Sequence, residues 1–284
     1  MGVFDGCLLA CDIDGTLVIN GKIPERNKEA INFFIKEGGH FSIATGRSVA
    51  AFRHVLDELG NIAPCIVTNG CIIYDYNHCK ILHEEALSIN DYKIAKEIKN
   101  TDKNIGIEIH SGETVIGYSQ TQESIDHQVY EGLNALEIDF DEASKYIWNK
   151  VLFLLDNKED LEFIIDFVKA FKFECDFIET TATIDNRKRL YFEMIPRNIN
   201  KATGLSKLAE ILKINRGCVY AIGDYYNDLE MIKKADIGAA VADSPDDIKL
   251  QADFVAGRCD DGAVADFINY LYKKRKDAND GFSN

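Results

Sequence analysis

The chain has 284 residues, of which 46% are hydrophobic and 28% charged, and its formal net charge is −15 at pH 7. These proportions are typical of a globular protein with one large domain or two modest ones. The negative charge argues against nucleic acid as a partner, because a phosphate backbone would be repelled. The longest apolar runs, such as Val151 to Leu155, are too short to span a bilayer. No charged segment followed by an apolar stretch opens the chain, so we expect neither membrane association nor a secretory signal.

Eight cysteines are scattered at irregular spacing, and several lie inside apolar runs, as Cys11, Cys65 and Cys218 do. That distribution favours reduced, buried thiols over a disulfide framework. We therefore expect a cytoplasmic protein. Composition and charge carry no information on its oligomeric state.

Several apolar runs in the two outer parts of the chain end abruptly in polar residues, and helical patterns lie between them. One helix is predicted to begin after Pro24, and another is predicted to be capped by Ser48 and to run to Leu59. Alternation of this kind predicts a parallel sheet covered by helices on both faces, with ligands binding at the carboxyl ends of the strands. The predicted strands are Leu8–Cys11, Phe41–Ala44, Cys65–Thr68, Val219–Ile222, Ile237–Val241 and Phe254–Val255.

The middle of the chain has a different pattern, in which strand follows strand. Hairpins are predicted around Ser111-Gly112-Glu113 and around Asp185-Asn186-Arg187, and helices are predicted near Asn90 to Lys99 and after Leu155. We interpret residues 84–193 as an α+β domain inserted into a core formed by residues 1–83 and 194–284. The tail from Lys273 to Asn284 is polar and basic, and we expect it to be frayed and solvated.

Asp12-Ile13-Asp14-Gly15-Thr16 directly follows the first predicted strand. Side chains alternate along a strand, so Asp12 and Asp14 point to the same side of its end. Two neighbouring carboxylates repel each other unless a cation lies between them, and Mg²⁺ prefers oxygen ligands. An Asp-rich turn at a strand end is also common without any catalytic role.

Other strand ends add complementary groups: Thr45, Lys201, Asp224 and Asp228. Lys201 alone would be unremarkable, and Asp228 alone would be read as a helix cap. Together with Asp12 and Asp14 they provide a nucleophile, an acid, a hydroxyl and an ammonium for phosphate oxygens, and carboxylates for Mg²⁺. The combination is far more specific than any of its members.

The order DxDGT, a threonine closing a strand, a lysine and then GDxxND resembles the haloacid dehalogenase superfamily over nearly the whole chain. Thr45-Gly46-Arg47, Val67-Thr68-Asn69-Gly70 and the GDxxND form of the last motif resemble its Cof-type subgroup, subclass IIB. About thirty residues separate Asp14 from Thr45, too few for a domain at that point, so the inserted block resembles the type 2 cap.

The resemblance implies a Rossmann-like core and an aspartyl-phosphate mechanism. Asp12 would attack phosphorus, and Asp14 would act as acid and then base. Mg²⁺ would be held by the carboxylates of Asp12 and Asp224 and by the backbone carbonyl of Asp14, with Asp228 orienting Asp224 or a metal-bound water. Residues expected to bind phosphate or substrate are Thr45, Gly46, Arg47, Asn69, Lys201 and Asn227.

One departure from the family pattern concerns Asp243, which lies where relatives often carry Asn-Ala. We expect it only to cap the following helix. The polar cap residues Glu108, His110, Arg187 and Lys188 could face the site, but residues of this kind are more often solvated, and we expect them at the surface.

The expected function is therefore hydrolysis of a small phosphorylated metabolite, with a sugar phosphate as the default. Two alternatives stay open. A phosphomutase or another phosphotransferase would share every motif, and a non-catalytic phosphometabolite-binding regulator would bind without turnover.

Overall fold

The structure is a computed structural model that describes residues 2–51, 53–184 and 187–281. Its strands, in chain order, are β1 (Leu8–Cys11), β2 (His40–Ile43), β3 (Cys65–Val67), β4 (Ile72–Asp75), β5 (Lys80–Glu84), β6 (Gly106–Ser111), β7 (Thr114–Ser119), β8 (Lys150–Leu155), β9 (Cys175–Ile184), β10 (Arg187–Pro196), β11 (Val219–Gly223), β12 (Ile237–Ala240) and β13 (Phe254–Val255). Its α-helices are α1 (Glu25–Lys36), α2 (Arg53–Leu59), α3 (Ile89–Lys99), α4 (Gln122–Glu131), α5 (Phe140–Ala143), α6 (Lys158–Lys169), α7 (Lys201–Leu212), α8 (Leu229–Lys234), α9 (Asp246–Lys249) and α10 (Ala263–Gly281).

The described residues form two compact units. The first comprises residues 2–46, 53–82 and 200–281, and the second comprises residues 47–51, 83–184 and 187–199. An α/β core with an inserted α+β domain is therefore confirmed as the fold class. The assignment of substrate selection to the inserted unit stays a prediction.

The main sheet of the first unit is parallel throughout and has the strand order β13-β12-β11-β1-β2. Leu8 pairs with Val219 on one side and with His40 on the other. All four residues of β1 are buried, as expected for a strand covered on both faces. Because the strands run in the same direction, their carboxyl ends bring together residues that are far apart in sequence.

A second, smaller sheet of the first unit has the order β3-β4-β5. The predicted elements do not include the β4–β5 hairpin. Ser48 does not cap a helix, because residues 49–51 form a turn and α2 begins at Arg53.

The inserted unit contains a five-stranded antiparallel sheet with the order β7-β6-β8-β10-β9. The hairpin between β6 and β7 is confirmed, and β9 pairs with β10 along ten residue pairs. Of the second predicted turn, Arg187 lies in β10, while Asp185 and Asn186 lie outside the described residues. Helix α3 begins at a capping box in which Ser88 and Asp91 each accept the other's backbone N–H.

The two faces of this antiparallel sheet differ in chemistry. One face carries Ile107, Val151, Phe153 and other apolar residues of the inserted unit's hydrophobic core. On the other face Glu108 and His110 are 0% and 3% exposed, so their expected placement at the solvated surface is wrong. Arg187 and Lys188 are exposed, as predicted.

All eight cysteines are free thiols, and seven of them are buried, which agrees with the prediction of reduced, packed cysteines. Burial raises the pKa of Cys65 to about 12, so this thiol stays protonated at neutral pH. Within the described ranges, no helix combines the length and the apolar character needed to cross a bilayer.

The tail is helical rather than frayed as far as it is described, since α10 continues to Gly281. The hydrogen bonds of Arg275 attach this basic segment to the rest of the unit. Its guanidinium donates to the backbone oxygen of Val3 at 2.6 Å, to the hydroxyl of Tyr220 at 3.1 Å and to the sulfur of Cys218 at 3.2 Å. The C-terminal helix is thereby bound to the N-terminal segment and to β11.

Replacing Arg275 by Ala should lower the free energy of unfolding by about 2 kcal/mol, because three partly buried partners lose their donor. Urea denaturation of the intact chain measures the change. Lys274→Ala, at an exposed position in the same turn, is the control and should change stability by less than about 0.5 kcal/mol. Equal effects of the two substitutions would contradict a specific role for Arg275.

Candidate active site

Asp12 follows β1 directly and is 6% exposed. Its backbone N–H continues the sheet by donating to the carbonyl of Ile222 at 3.0 Å. The chain then turns at Gly15, where φ is +85° and where a Cβ would lie 2.5 Å from a carboxylate oxygen of Asp224. Glycine is required here for both reasons, and the turn leaves the side chain of Asp14 exposed.

Thr16 connects this turn to the next acidic loop. Its hydroxyl donates to Asp224 Oδ1 at 3.2 Å. This hydroxyl therefore orients a carboxylate 208 positions further along the chain.

The loop after β11 is organised by Asp228, which is fully buried. Its Oδ2 accepts the backbone N–H groups of Asp224 and Tyr225, each at 3.2 Å. Gly223 permits this fold, because a Cβ there would lie 2.4 Å from the Cβ of Asp228. Asp228 therefore positions the backbone of Asp224, and Asn227 in the same loop is exposed.

Lys201 opens α7 and is 1% exposed. Its Nζ lies 2.6 Å from Asp12 Oδ1 and 2.7 Å from Asp228 Oδ1, so one ammonium bridges both acidic motifs. The helix start is fixed by a capping box formed by Asn200 and Thr203. Gly70 approaches so closely that a Cβ there would lie 2.1 Å from the backbone oxygen of Asn200.

The electrostatics of this group are dominated by burial and by excess negative charge. Burial, together with the neighbouring Asp228, raises the pKa of Asp12 well above its usual range and that of Asp224 to about 6. Burial alone would lower the pKa of Lys201, but the two carboxylates outweigh it and the pKa is raised. Oxygen atoms of Asp12, Asp224 and Asp228 lie within 4.8 Å of one another. One ammonium against three carboxylates leaves a site that suits a further cation.

The loops after β2 and β3 form a second part of the predicted site. Thr45, 2% exposed, donates its backbone N–H to Ile66 and accepts that of Asn69 at 3.0 Å. A Cβ at Gly46 would lie 2.7 Å from the side-chain oxygen of Asn69. Asn69 itself adopts a positive φ of 57°. Thr45, Gly46 and Asn69 are therefore packed against one another, as expected for adjacent strand ends.

Two predicted residues have other surroundings. Arg47 is grouped with the inserted unit, where its guanidinium lies 3.5 Å from Glu131. Asp243 does not cap α9, which begins after Pro245, and instead accepts from Arg258 at 2.9 Å. The expectation that Asp243 acts as a helix cap is wrong.

The first unit contains a parallel sheet with buried carboxylates and a buried lysine at its carboxyl edge, and an α+β domain is inserted into it. This combination is typical of hydrolases similar to the haloacid dehalogenases. The profile of the haloacid dehalogenase-like hydrolases matches residues 9–268. The chain belongs to this family.

Relatives align over nearly the full length of the chain. The 5-amino-6-(5-phospho-D-ribitylamino)uracil phosphatase YwtE of Bacillus subtilis is 28% identical over 290 residues, which cover 93% of this chain and 97% of YwtE. The phosphatase YwpJ of the same organism is 25% identical, with 93% of this chain and 99% of YwpJ covered. The structure of the subclass IIB sugar phosphatase BT4131 superposes with a TM-score of 0.77 at 19% identity, over 93% of this chain and 98% of that protein. The chain is accordingly a phosphatase of the haloacid dehalogenase type.

Replacing Lys201 by Met should lower the free energy of unfolding by about 3 kcal/mol at neutral pH, because two buried carboxylates would then face each other without an ammonium. Urea denaturation in the presence of chelator measures this loss. Lys207→Met, in the same helix but with its side chain 38% exposed, is the matched control. A Lys201→Met chain as stable as that control would contradict the ion-pair assignment.

Proposed function

We propose that this phosphatase is Mg²⁺-dependent and hydrolyses a small phosphorylated metabolite, by default a sugar phosphate, through a phosphoaspartate on Asp12. The observation that carries the proposal is the buried bridge from Lys201 to Asp12 and Asp228, with Asp224 alongside. Such a group is suited to provide a nucleophile, an ammonium and metal-binding carboxylates at the carboxyl edge of one sheet.

In the proposed first step, a carboxylate oxygen of Asp12 forms a bond to phosphorus while the bond to the leaving oxygen breaks. Asp14 gives that oxygen its proton. Lys201 donates to Asp12 Oδ1 and so fixes the rotamer of the nucleophile. Thr45 and Lys201 are the proposed donors to the transferring oxygens, with Gly46 and Asn69 shaping the adjacent loop.

In the proposed second step, the oxygen of a water molecule forms a bond to phosphorus while the bond between phosphorus and the Asp12 oxygen breaks, and inorganic phosphate leaves. Asp14 takes the water's proton, so the Asp12 carboxylate and the protonated Asp14 are both restored. The exposed position of Asp14 supports this double role, because an exposed carboxyl can exchange protons with solvent between the steps. Asp12, bonded and buried, is suited to attack rather than to proton exchange.

The donor set fits Mg²⁺, a hard cation that takes oxygen ligands. Asp12 and Asp224 would hold it through carboxylate oxygens and Asp14 through its backbone carbonyl, while Asp228 keeps the loop of Asp224 in place. When bound, Mg²⁺ would neutralise charge on the phosphate oxygens. The raised pKa of Asp224 reflects burial among carboxylates, an environment that a divalent cation would relieve.

The names of the relatives support the substrate class. YwtE is named for a phosphorylated ribitylamino compound, and BT4131 is called a sugar phosphatase. A phosphorylated ribitylamino compound and a sugar phosphate each combine a phosphate monoester with several hydroxyl groups. Arg47 and Asn227 are the weaker proposed substrate contacts, since Arg47 is paired with Glu131 and Asn227 is exposed.

Asp12→Asn should reduce the rate of phosphate release by roughly a thousandfold or more, because an amide oxygen is a poor nucleophile toward phosphorus. The assay is release of inorganic phosphate from sugar phosphates, nucleotides and p-nitrophenyl phosphate, with Mg²⁺ and with chelator. Asp5→Asn, at an exposed position of the same unit, is the matched control and should retain full activity. Full activity of Asp12→Asn would exclude the phosphoaspartate mechanism.

The same assay separates the remaining alternatives. Transfer of phosphate between positions of a sugar, with a bisphosphate requirement and little free phosphate, would identify a mutase. Tight binding of a phosphorylated compound by the wild-type chain without release over hours would identify a regulator.

A further inference from the structure

Two cysteines lie side by side at the amino ends of two adjacent strands of the main sheet. Cys7 directly precedes Leu8 of β1, Cys218 directly precedes Val219 of β11, and Leu8 and Val219 are register partners. The backbone N–H of Leu8 donates to the carbonyl of Cys218 at 2.9 Å, so the parallel pairing reaches the cysteines themselves. Neighbouring strands are about 4.8 Å apart, which lies within the range of Cα–Cα separations that a disulfide bond spans, about 4.4–6.8 Å.

Both thiols lie on the same face of the sheet. Tyr220, two positions after Cys218, points to the side of the sheet that Cys218 faces, and its hydroxyl accepts from the Cys7 thiol at 3.9 Å. The guanidinium of Arg275 donates to that hydroxyl at 3.1 Å and to the sulfur of Cys218 at 3.2 Å. One phenol and one guanidinium therefore contact both sulfur atoms, and no change of face is needed for the sulfurs to meet.

The two thiols differ in reactivity. Cys7 is fully buried, and burial together with the neighbouring Cys218 raises the pKa of its thiol to about 12, so it stays protonated at neutral pH. Cys218 is 8% exposed, and its sulfur accepts a hydrogen bond from a guanidinium, a cation that favours the thiolate form. Cys218 is therefore the thiol suited to react first with a small oxidant, and Cys7 lies where a second thiol is needed.

We propose that Cys7 and Cys218 are an oxidative modification site, at which hydrogen peroxide converts two free thiols into a disulfide bond between the starts of β1 and β11. Both cysteines are free in the structure, which therefore shows the reduced form. The proposal does not depend on the substrate or the metal of the candidate active site.

In the first step, the Cys218 thiolate sulfur forms a bond to one peroxide oxygen while the oxygen–oxygen bond breaks, which gives a sulfenic acid and a hydroxide ion. The hydroxide takes up the proton that the Cys218 thiol has released. In the second step, the Cys7 sulfur forms a bond to the Cys218 sulfur while the sulfur–oxygen bond breaks, and the leaving hydroxide takes the Cys7 proton. The two thiols lose two electrons in total, and the peroxide is reduced to two molecules of water.

The position of the bond predicts its effect. Asp12 and Asp224 follow the carboxyl ends of the same two strands, so a bridge at the amino ends lies outside the candidate active site. It would close a loop of about two hundred residues, and a cross-link over so long a loop restricts the unfolded chain strongly. We therefore expect the oxidised protein to be more resistant to unfolding than the reduced one.

The test uses full-length chains that all carry Cys79→Ser, because Cys79 is the exposed thiol and would otherwise link two molecules. Cys7→Ser and Cys218→Ser each remove one member of the pair. Cys65→Ser removes another buried thiol of the same unit and is the matched control. Each folded chain is treated with hydrogen peroxide without denaturant. Intact mass, linked peptides and Tm are then measured before and after addition of dithiothreitol.

The Cys79→Ser chain and the Cys65→Ser control should lose the mass of two hydrogen atoms and yield a peptide pair linked through Cys7 and Cys218. Their Tm should rise by at least about 4 °C, and dithiothreitol should reverse the rise. Neither change is expected in Cys218→Ser. In Cys7→Ser the sulfenic acid on Cys218 has no second thiol to react with, so dimedone should label Cys218 there.

Absence of the linked peptide pair from the peroxide-treated Cys79→Ser chain would overturn the proposal, and this readout does not depend on whether a serine variant folds. Dimedone labelling of Cys7 in Cys218→Ser, with none of Cys218 in Cys7→Ser, would contradict the assigned order of reaction. A linked pair without any rise in Tm would contradict the stabilising effect.

Discussion

The buried ammonium of Lys201 is the interaction on which the candidate site depends. It is bonded at once to Asp12 at the end of β1 and to Asp228 behind the loop of Asp224, and it starts the helix that packs against the loop after β3. Two strand ends from distant parts of the sequence, those of β1 and β11, therefore share one charge. Because a buried ion pair loses stability when one partner is removed, this arrangement tolerates little change in any of its parts.

Close packing around that charge depends on small residues as much as on charged ones. Gly15, Gly70 and Gly223 each lie where a Cβ would meet another atom of the site at 2.5 Å or less. These contacts let backbone turns approach a carboxylate or a helix start without intervening side chains. A motif such as DxDGT thus combines chemistry, in its carboxylates, with geometry, in its glycine.

Sequence reasoning predicted the parallel sheet and the meeting of Asp12 and Asp224, because strand ends are marked by apolar runs that stop and parallel strands share an edge. Lys201 reaches the same group from the start of α7. It did not predict the ordered end of the chain, where Arg275 reaches Val3 through a contact spanning 272 positions. It also placed Glu108 at the surface. A glutamate in a sequence is expected to be exposed because its side chain is charged. Only the packing of α4 over the sheet shows that this carboxylate is buried.

The two units therefore differ in how much their sequences reveal. In the first unit, the proposed function requires charged residues at fixed positions along the sequence, so their spacing is informative. In the inserted unit, polar residues alternate with apolar ones on an ordinary antiparallel sheet, and no spacing distinguishes His110 from a surface histidine. What distinguishes it is burial without a hydrogen-bond partner among the described residues, a property that exists only in three dimensions. Motifs are therefore visible along the sequence, whereas a buried atom without a partner is found only in the packed structure.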